Sequence, residues 1–108
     1  MKSKSSTIIE MPTGGWKLNR LPTKPGEVLL KEFLEPLSIT QVALARHIGC
    51  DQKVINRICN GRSAVTTAIA VKLANAFETT PQFWLNLQFA VDIWNEQQAN
   101  EPIKSMLA

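Results

Sequence analysis

Helix start and stop signals divide the chain between Pro25 and Gln98 so closely that little but short helices fits between them. Thr40 can cap a helix Gln41 to Ile48, which Gly49 ends. Asp51 caps a third helix running to about Asn60, with Gly61 as its stop, and Thr66 caps a fourth through Phe77. Thr80-Pro81 opens the last and longest, to about Gln98, by placing a cap before a proline. Ahead of these, Glu27 to Leu37 sets Val28, Leu29, Phe33, Leu34 and Leu37 at helical intervals, with Lys31, Glu32 and Glu35 turned away. Its acidic start suits the helix dipole, and Pro36 should break the backbone pattern near its end. Alternation suited to strands is absent beyond the first ten residues, and no repeat of solenoid period is present. The chain is therefore expected to be all-α, with five helices.

At 108 residues the chain has room for one domain, and 44% apolar against 19% charged residues is a folding composition rather than a disordered one. Residues 1–20, rich in Ser, Thr and Lys, read as a mobile N-terminal arm. Within it Ile8-Ile9 could pair briefly as a strand, and Trp16 is costly to leave in water and so is a candidate anchor. Residues 21–99 form the predicted domain and 100–108 a C-terminal tail. No apolar run approaches the ~18 residues that span a bilayer, and the start is too short in apolar residues for a secretory signal, which predicts a cytoplasmic protein without a membrane partner. Cys50 and Cys59 are too few for a disulfide framework and read as small core residues.

The net charge of +3 is less informative than its distribution. Residues 37–75 carry five Lys/Arg against one acid, whereas residues 76–108 carry one against four. The positive field belongs to the middle of the chain. At 100° per residue, the third helix places Gln52, Asn56, Asn60, Lys53 and Arg57 on one arc free of acids, and Val54, Ile55, Ile58 and Cys59 on the other. Gln and Asn can bond adenine bidentately, while Arg and Lys suit guanine or phosphate. Gln41, Ala45, Gly49 and Ile55 also fall at positions 1, 5, 9 and 15 of a helix-turn-helix span. Ala45 is small where the helices cross, Gly49 accepts a positive φ in the turn, and Ile55 packs the second helix inward. Such a unit binds double-stranded DNA through the major groove.

The segments PGEVLLKEFLEPL (Pro25 to Leu37), TQVALARHIG (Thr40 to Gly49), INRICNGR (Ile55 to Arg62) and TPQFWLNLQ (Thr80 to Gln88) resemble the HigA-type antitoxins, also called VapI or virulence-associated protein I. These belong to the lambda-repressor-like Xre/Cro helix-turn-helix superfamily. The resemblance covers about two-thirds of the chain, and TPQFWLNLQ is its most specific part. It implies repression of the protein's own toxin–antitoxin operon and neutralisation of a HigB/RelE-like toxin, a ribosome-dependent mRNA endonuclease. By position, it implies that Gln41 lies near the sugar-phosphate backbone, that Gln52, Lys53 and Asn56 face the major groove, and that Arg57 and Arg62 contact phosphates. Asp51 departs from the family's usual Ser or Thr, and Glu78 from its usual Gly. A stand-alone Xre-type repressor without a toxin partner would share the same motif.

In the last helix Phe89, Ile93, Ala90, Phe83, Trp94, Leu87, Val91 and Trp84 fill an arc of roughly 220°, more than twice the ~100° that a surface helix needs. The polar remainder is Asn95, Gln88, Asp92 and Glu96, with Asn86 alone inside the apolar arc. One flank is expected on the core and the other, with Phe89, Ile93 and Trp94, on a second copy, giving a homodimer in which Asn86 could fix the register. A dimer would place two third helices at half-sites about 34–36 Å apart. The chain lacks GxxxxGK[ST], HExxH, GxSxG and CxxC, so no catalytic residue, cofactor or enzymatic role is assigned. His47 with Cys50 and Cys59 lacks a fourth ligand and paired spacing, so no metal is assigned either.

Overall fold

A computed structural model describes residues 20–107. The sequence expectations for the N-terminal arm, including Ile8, Ile9 and Trp16, fall outside the described residues apart from Arg20. Five helices are present among the described residues, and no strand is. The first, α1, runs as an α-helix over Pro25–Val28, widens to π geometry over Leu29–Leu34 and closes with an α turn over Glu35–Leu37. It is followed by α2 (Gln41–Ile48), α3 (Gln52–Cys59), α4 (Thr67–Phe77) and α5 (Pro81–Ala99). None of them is long and apolar enough to cross a membrane.

The caps form where side-chain chemistry demands. Thr40, Thr66 and Thr80 each accept a hydrogen bond through Oγ1 from the backbone N–H three residues on, at 3.0, 3.2 and 3.1 Å. Asp51 accepts from Lys53 N–H at 2.8 Å. The first helix differs from its sequence expectation in two ways. It begins at Pro25, where a proline loses no helical bond, rather than at Glu27. It also passes through Pro36 to Leu37, and the widened stretch ends just before that proline, whose ring would press on the carbonyl four residues back in a strict α-helix. Leu37, expected to face inward, is exposed because the helix ends there and Ser38 turns the chain away in the left-handed region at φ 56°.

The core is one cluster centred on Trp84, which is fully buried and donates its indole N–H to Thr79 Oγ1 at 2.8 Å. Phe33 lies 5.3 Å from the Trp84 ring and 4.9 Å from Phe77, while Phe83 meets Trp84 edge-on at 5.0 Å. Leu29 and Leu34 of α1, Leu44 and Ala45 of α2, Ile55 and Ile58 of α3, and Ile69, Ala70, Leu73 and Ala74 of α4 complete it. Burying each leucine or isoleucine of this set stabilises the fold by about 1.5–3 kcal/mol in transfer terms.

Two positions carry backbone constraints of different kinds. Gly26 is buried inside the first turn of α1, where an added Cβ would overlap the Ile58 carbonyl oxygen and crowd the Cys59 backbone. Helix α1 thus touches α3 backbone to backbone. Glu78, by contrast, ends α4 in the left-handed region at φ 56°, ψ 42° without the glycine that makes this conformation cheap. Gly26→Ala is expected to destabilise by about 1–3 kcal/mol through overpacking. Glu78→Gly is expected to stabilise by about 0.5–1 kcal/mol. Denaturant midpoints of the two variants against the parent check both signs.

Candidate nucleic-acid interface

Helices α2 and α3 pack against each other, with Ala45 buried on α2 and Ile55 and Ile58 almost wholly buried on α3. The turn between them works because Gly49 closes α2 at φ 74°, its N–H and that of Cys50 both reaching the Ala45 carbonyl. No atom lies close to where a Gly49 side chain would start, so backbone conformation alone makes glycine the favoured residue there.

With Ile55 and Ile58 facing inward, the opposite side of α3 faces solvent. Gln52, Lys53, Asn56, Arg57 and Asn60 are all exposed, as is Arg62 beyond the helix. Three of the amides are joined: Asn56 Nδ2 donates to Gln41 Oε1 at 3.1 Å, and Asn60 Nδ2 donates to Asn56 Oδ1 at 3.3 Å. Asn56 therefore retains one N–H and one oxygen lone pair, the donor–acceptor pair that a bidentate bond to adenine requires. Gln41, half-buried at the start of α2, holds Asn56 in place from the neighbouring helix. Arg62 is brought to the C-terminal end of the same helix, since its N–H donates to the Arg57 carbonyl at 2.8 Å.

Sequence reasoning missed three contributors. Asn60 was placed on the outward arc without a role, although an i,i+4 amide pair on a helix is itself a signal. The Lys24 side chain lies across Gly61 and adds a cation at the end of α3. Gly26 sets how closely α3 sits on α1; with the first helix read from Glu27, the glycine lay outside it and carried no local signal of this contact. Other chemistry finds no support at the cysteines. Cys50 and Cys59 are half-buried against the core, and burial pushes both thiols up, with Lys72 opposing and Asp51 adding at Cys50. They stay protonated at neutral pH and are poor nucleophiles. No group of three His, Cys, Asp or Glu residues suited to a metal occurs among the described residues.

On α5 the structure corrects the sequence assignment of faces. Trp84 and Val91 are buried and Phe89 and Ile93 are 53% and 56% exposed, so one flank of the apolar arc meets the core and the other meets solvent. Gln88, expected in the polar remainder, is buried, because the loop after α3 covers that side and hydrogen-bonds to it. Asn86, expected inside the apolar arc, is exposed in the chain by itself. Trp94 is half-buried, with an indole N–H that is shielded from water and has no partner within the described residues.

The family model described as helix-turn-helix matches residues 30–84, from the middle of α1 to Trp84. The chain is also 46% identical to antitoxin HigA-1 of Vibrio cholerae over 79 residues, 73% of this chain and 74% of that protein. This chain belongs to the HigA-type helix-turn-helix family. Among solved structures, the HigA-type fold described above is similar to antitoxin GraA in complex with its operator, with TM-score 0.76 and 34% identity, covering 86% of this chain and 99% of that one. It is likewise similar to Pseudomonas aeruginosa antitoxin HigA with the higBA promoter, with TM-score 0.72 and 32% identity, covering 80% and 99%.

The Gln41–Asn56–Asn60 chain yields a stability prediction that is independent of any ligand. Because all three amides are solvent-exposed or half-exposed, Gln41→Ala is expected to change folding stability by no more than about 0.5 kcal/mol. A larger shift in the denaturant midpoint would mean that these bonds hold the motif together rather than merely orient Asn56.

Proposed function

We propose that this chain is a sequence-specific DNA-binding antitoxin: it represses its own toxin–antitoxin operon and neutralises a HigB/RelE-like mRNA endonuclease. The observation that carries the DNA half of this reading is the exposed amide and cation face of α3, with Asn56 held by Gln41 from α2. Further support is that two proteins of the same fold are described with operator or promoter DNA. Gln52, Lys53 and Asn56 read base edges, while Arg57 and Arg62 contact phosphates and Gln41 lies beside the backbone. Asp51, the cap of α3, brings a carboxylate close to that backbone, where it repels phosphate. The toxin half is supported by relatives named as antitoxins.

Reading a palindrome requires a homodimer, and the outward stripe of α5 has the spacing for one. Gln82, Asn86, Phe89, Ile93, Glu96 and Asn100 recur at intervals of four and three, the seam pattern of a two-helix pair. Parallel pairing in register would set Glu96 against Glu96. Antiparallel pairing about Val91 sets Phe89 against Ile93 of a second copy and Asn86 against Glu96, which gives Asn86 the register role. Such a contact also covers the half-exposed Phe89 and Ile93 beside Trp94.

Asn56→Ala is expected to weaken binding to the operator by about 1–3 kcal/mol while leaving binding to random DNA nearly unchanged. An equal loss on both sequences would refute a base contact. Ile93→Glu is expected to give a folded monomer by sedimentation, and unchanged mass would remove the α5 stripe from the interface. The toxin half is tested by co-expression with the neighbouring gene product: capture of that protein and relief of its growth arrest are expected, and failure of both favours a stand-alone repressor.

A further inference from the structure

The loop from α3 to α4 is pinned at both ends. At its start, Arg62 and Ser63 both donate backbone N–H groups to the Arg57 carbonyl, at 2.8 and 3.3 Å. At its end, buried Val65 donates its N–H to Gln88 Oε1 at 2.8 Å, across 23 residues of sequence. Gln88 comes from the middle of α5 and is the buried polar side chain among the described residues. Its Nε2 donates in turn to Asp92 Oδ1 at 2.9 Å, which fixes the orientation of the amide.

We infer that Gln88 is a positioning residue for DNA binding, holding the α3–α4 loop so that Arg62 stands beside Arg57 at the end of the reading helix. The inference rests on the DNA-binding reading above. Only Ser63 and Ala64 separate Arg62 from the Val65 clamp, so the loop has little slack while both ends are bonded. Without the Gln88 oxygen, the Val65 N–H would be buried and unpaired, and the loop would have to open to water to satisfy it. Arg62 would keep its charge but lose its place, and each phosphate contact would then cost more ordering of the side chain. The clamp also joins two functions physically, since the helix that supplies Gln88 carries the outward Phe89–Ile93 stripe on its other side.

The test is a salt titration of operator binding by the full chain, with circular dichroism on every variant. Gln88→Met keeps the volume and removes both hydrogen bonds. It is expected to weaken binding about tenfold and to flatten the log–log salt slope by about 0.9 per protomer. Arg62→Ala should flatten the slope equally, and Gln88→Met should add nothing further in the Arg62→Ala background. Gln88→Glu sets two carboxylates together and should be impaired. Adding Asp92→Asn lets the new carboxylate accept from both Val65 N–H and the new amide, and is expected to restore affinity and slope.

An unchanged slope in a folded Gln88→Met protein, or an equal loss with and without Arg62, would overturn the inference. If Gln88→Met does not fold, the exchanged pair decides: binding no better than Gln88→Glu alone overturns it, and recovery supports it. A parent protein that fails to bind the operator even at low salt would instead overturn the DNA-binding reading, and this inference with it.

Discussion

Helix α3 is held from within by two isoleucines and by a glycine on another helix. Ile55 and Ile58 are almost wholly buried, and the Ile58 carbonyl lies where any side chain at position 26 would have to go. Together these fix both the rotation of α3 about its axis and its depth against α1. Once the rotation is fixed, the 100° step of the helix leaves Gln52, Lys53, Asn56 and Arg57 no direction but outward. The candidate interface is therefore a consequence of core packing on the opposite face, and the hydrogen bond from Asn56 to Gln41 refines an orientation already set.

Most of the fold was legible because its helix ends are written in local chemistry. A threonine or aspartate cap depends on residues two or three positions away, and a positive φ at Gly49 depends on that residue alone. The exposed polar face of α3 was legible for the same reason, since one helix with all its apolar residues on one side needs no tertiary knowledge. The features that escaped depend on contacts distant in sequence. Gly26 reads locally as a turn marker, and only Ile58, 32 residues on, makes it a packing requirement. Gln88 sits at the polar edge of α5 by angle, but the loop that buries it comes from 23 residues earlier. The π widening of α1 escaped because apolar spacing at 3.6 residues per turn is insensitive to a single wider stretch.

The two sides of α5 make different physical demands on one sequence. Trp84, Gln88 and Val91 must match a core that is already crowded by Phe33 and Phe77, whereas Phe89 and Ile93 meet no such constraint within the chain. An apolar arc of roughly 220° is thus wider than the core of this chain uses, since Phe89 and Ile93 at its edge stay exposed. A buried amide needs partners fixed within the same chain, and Gln88 has them in Val65 and Asp92.

Charge follows the same division. Three of the five cations of the middle third, Lys53, Arg57 and Arg62, lie on or just after α3, with Arg46 on α2 and Lys72 on α4, while Asp92 and Glu96 lie on α5 and Glu101 after it. The cations on and just after α3 are drawn by the field of a polyanion before any contact forms, which favours approach with α3 leading. Asp51 is the exception, a carboxylate at the leading edge. It caps α3 as well as a serine would, so its cost falls on affinity for phosphate and not on the helix, and removing the charge while keeping the cap, as in Asp51→Ser, should strengthen binding to all DNA sequences alike.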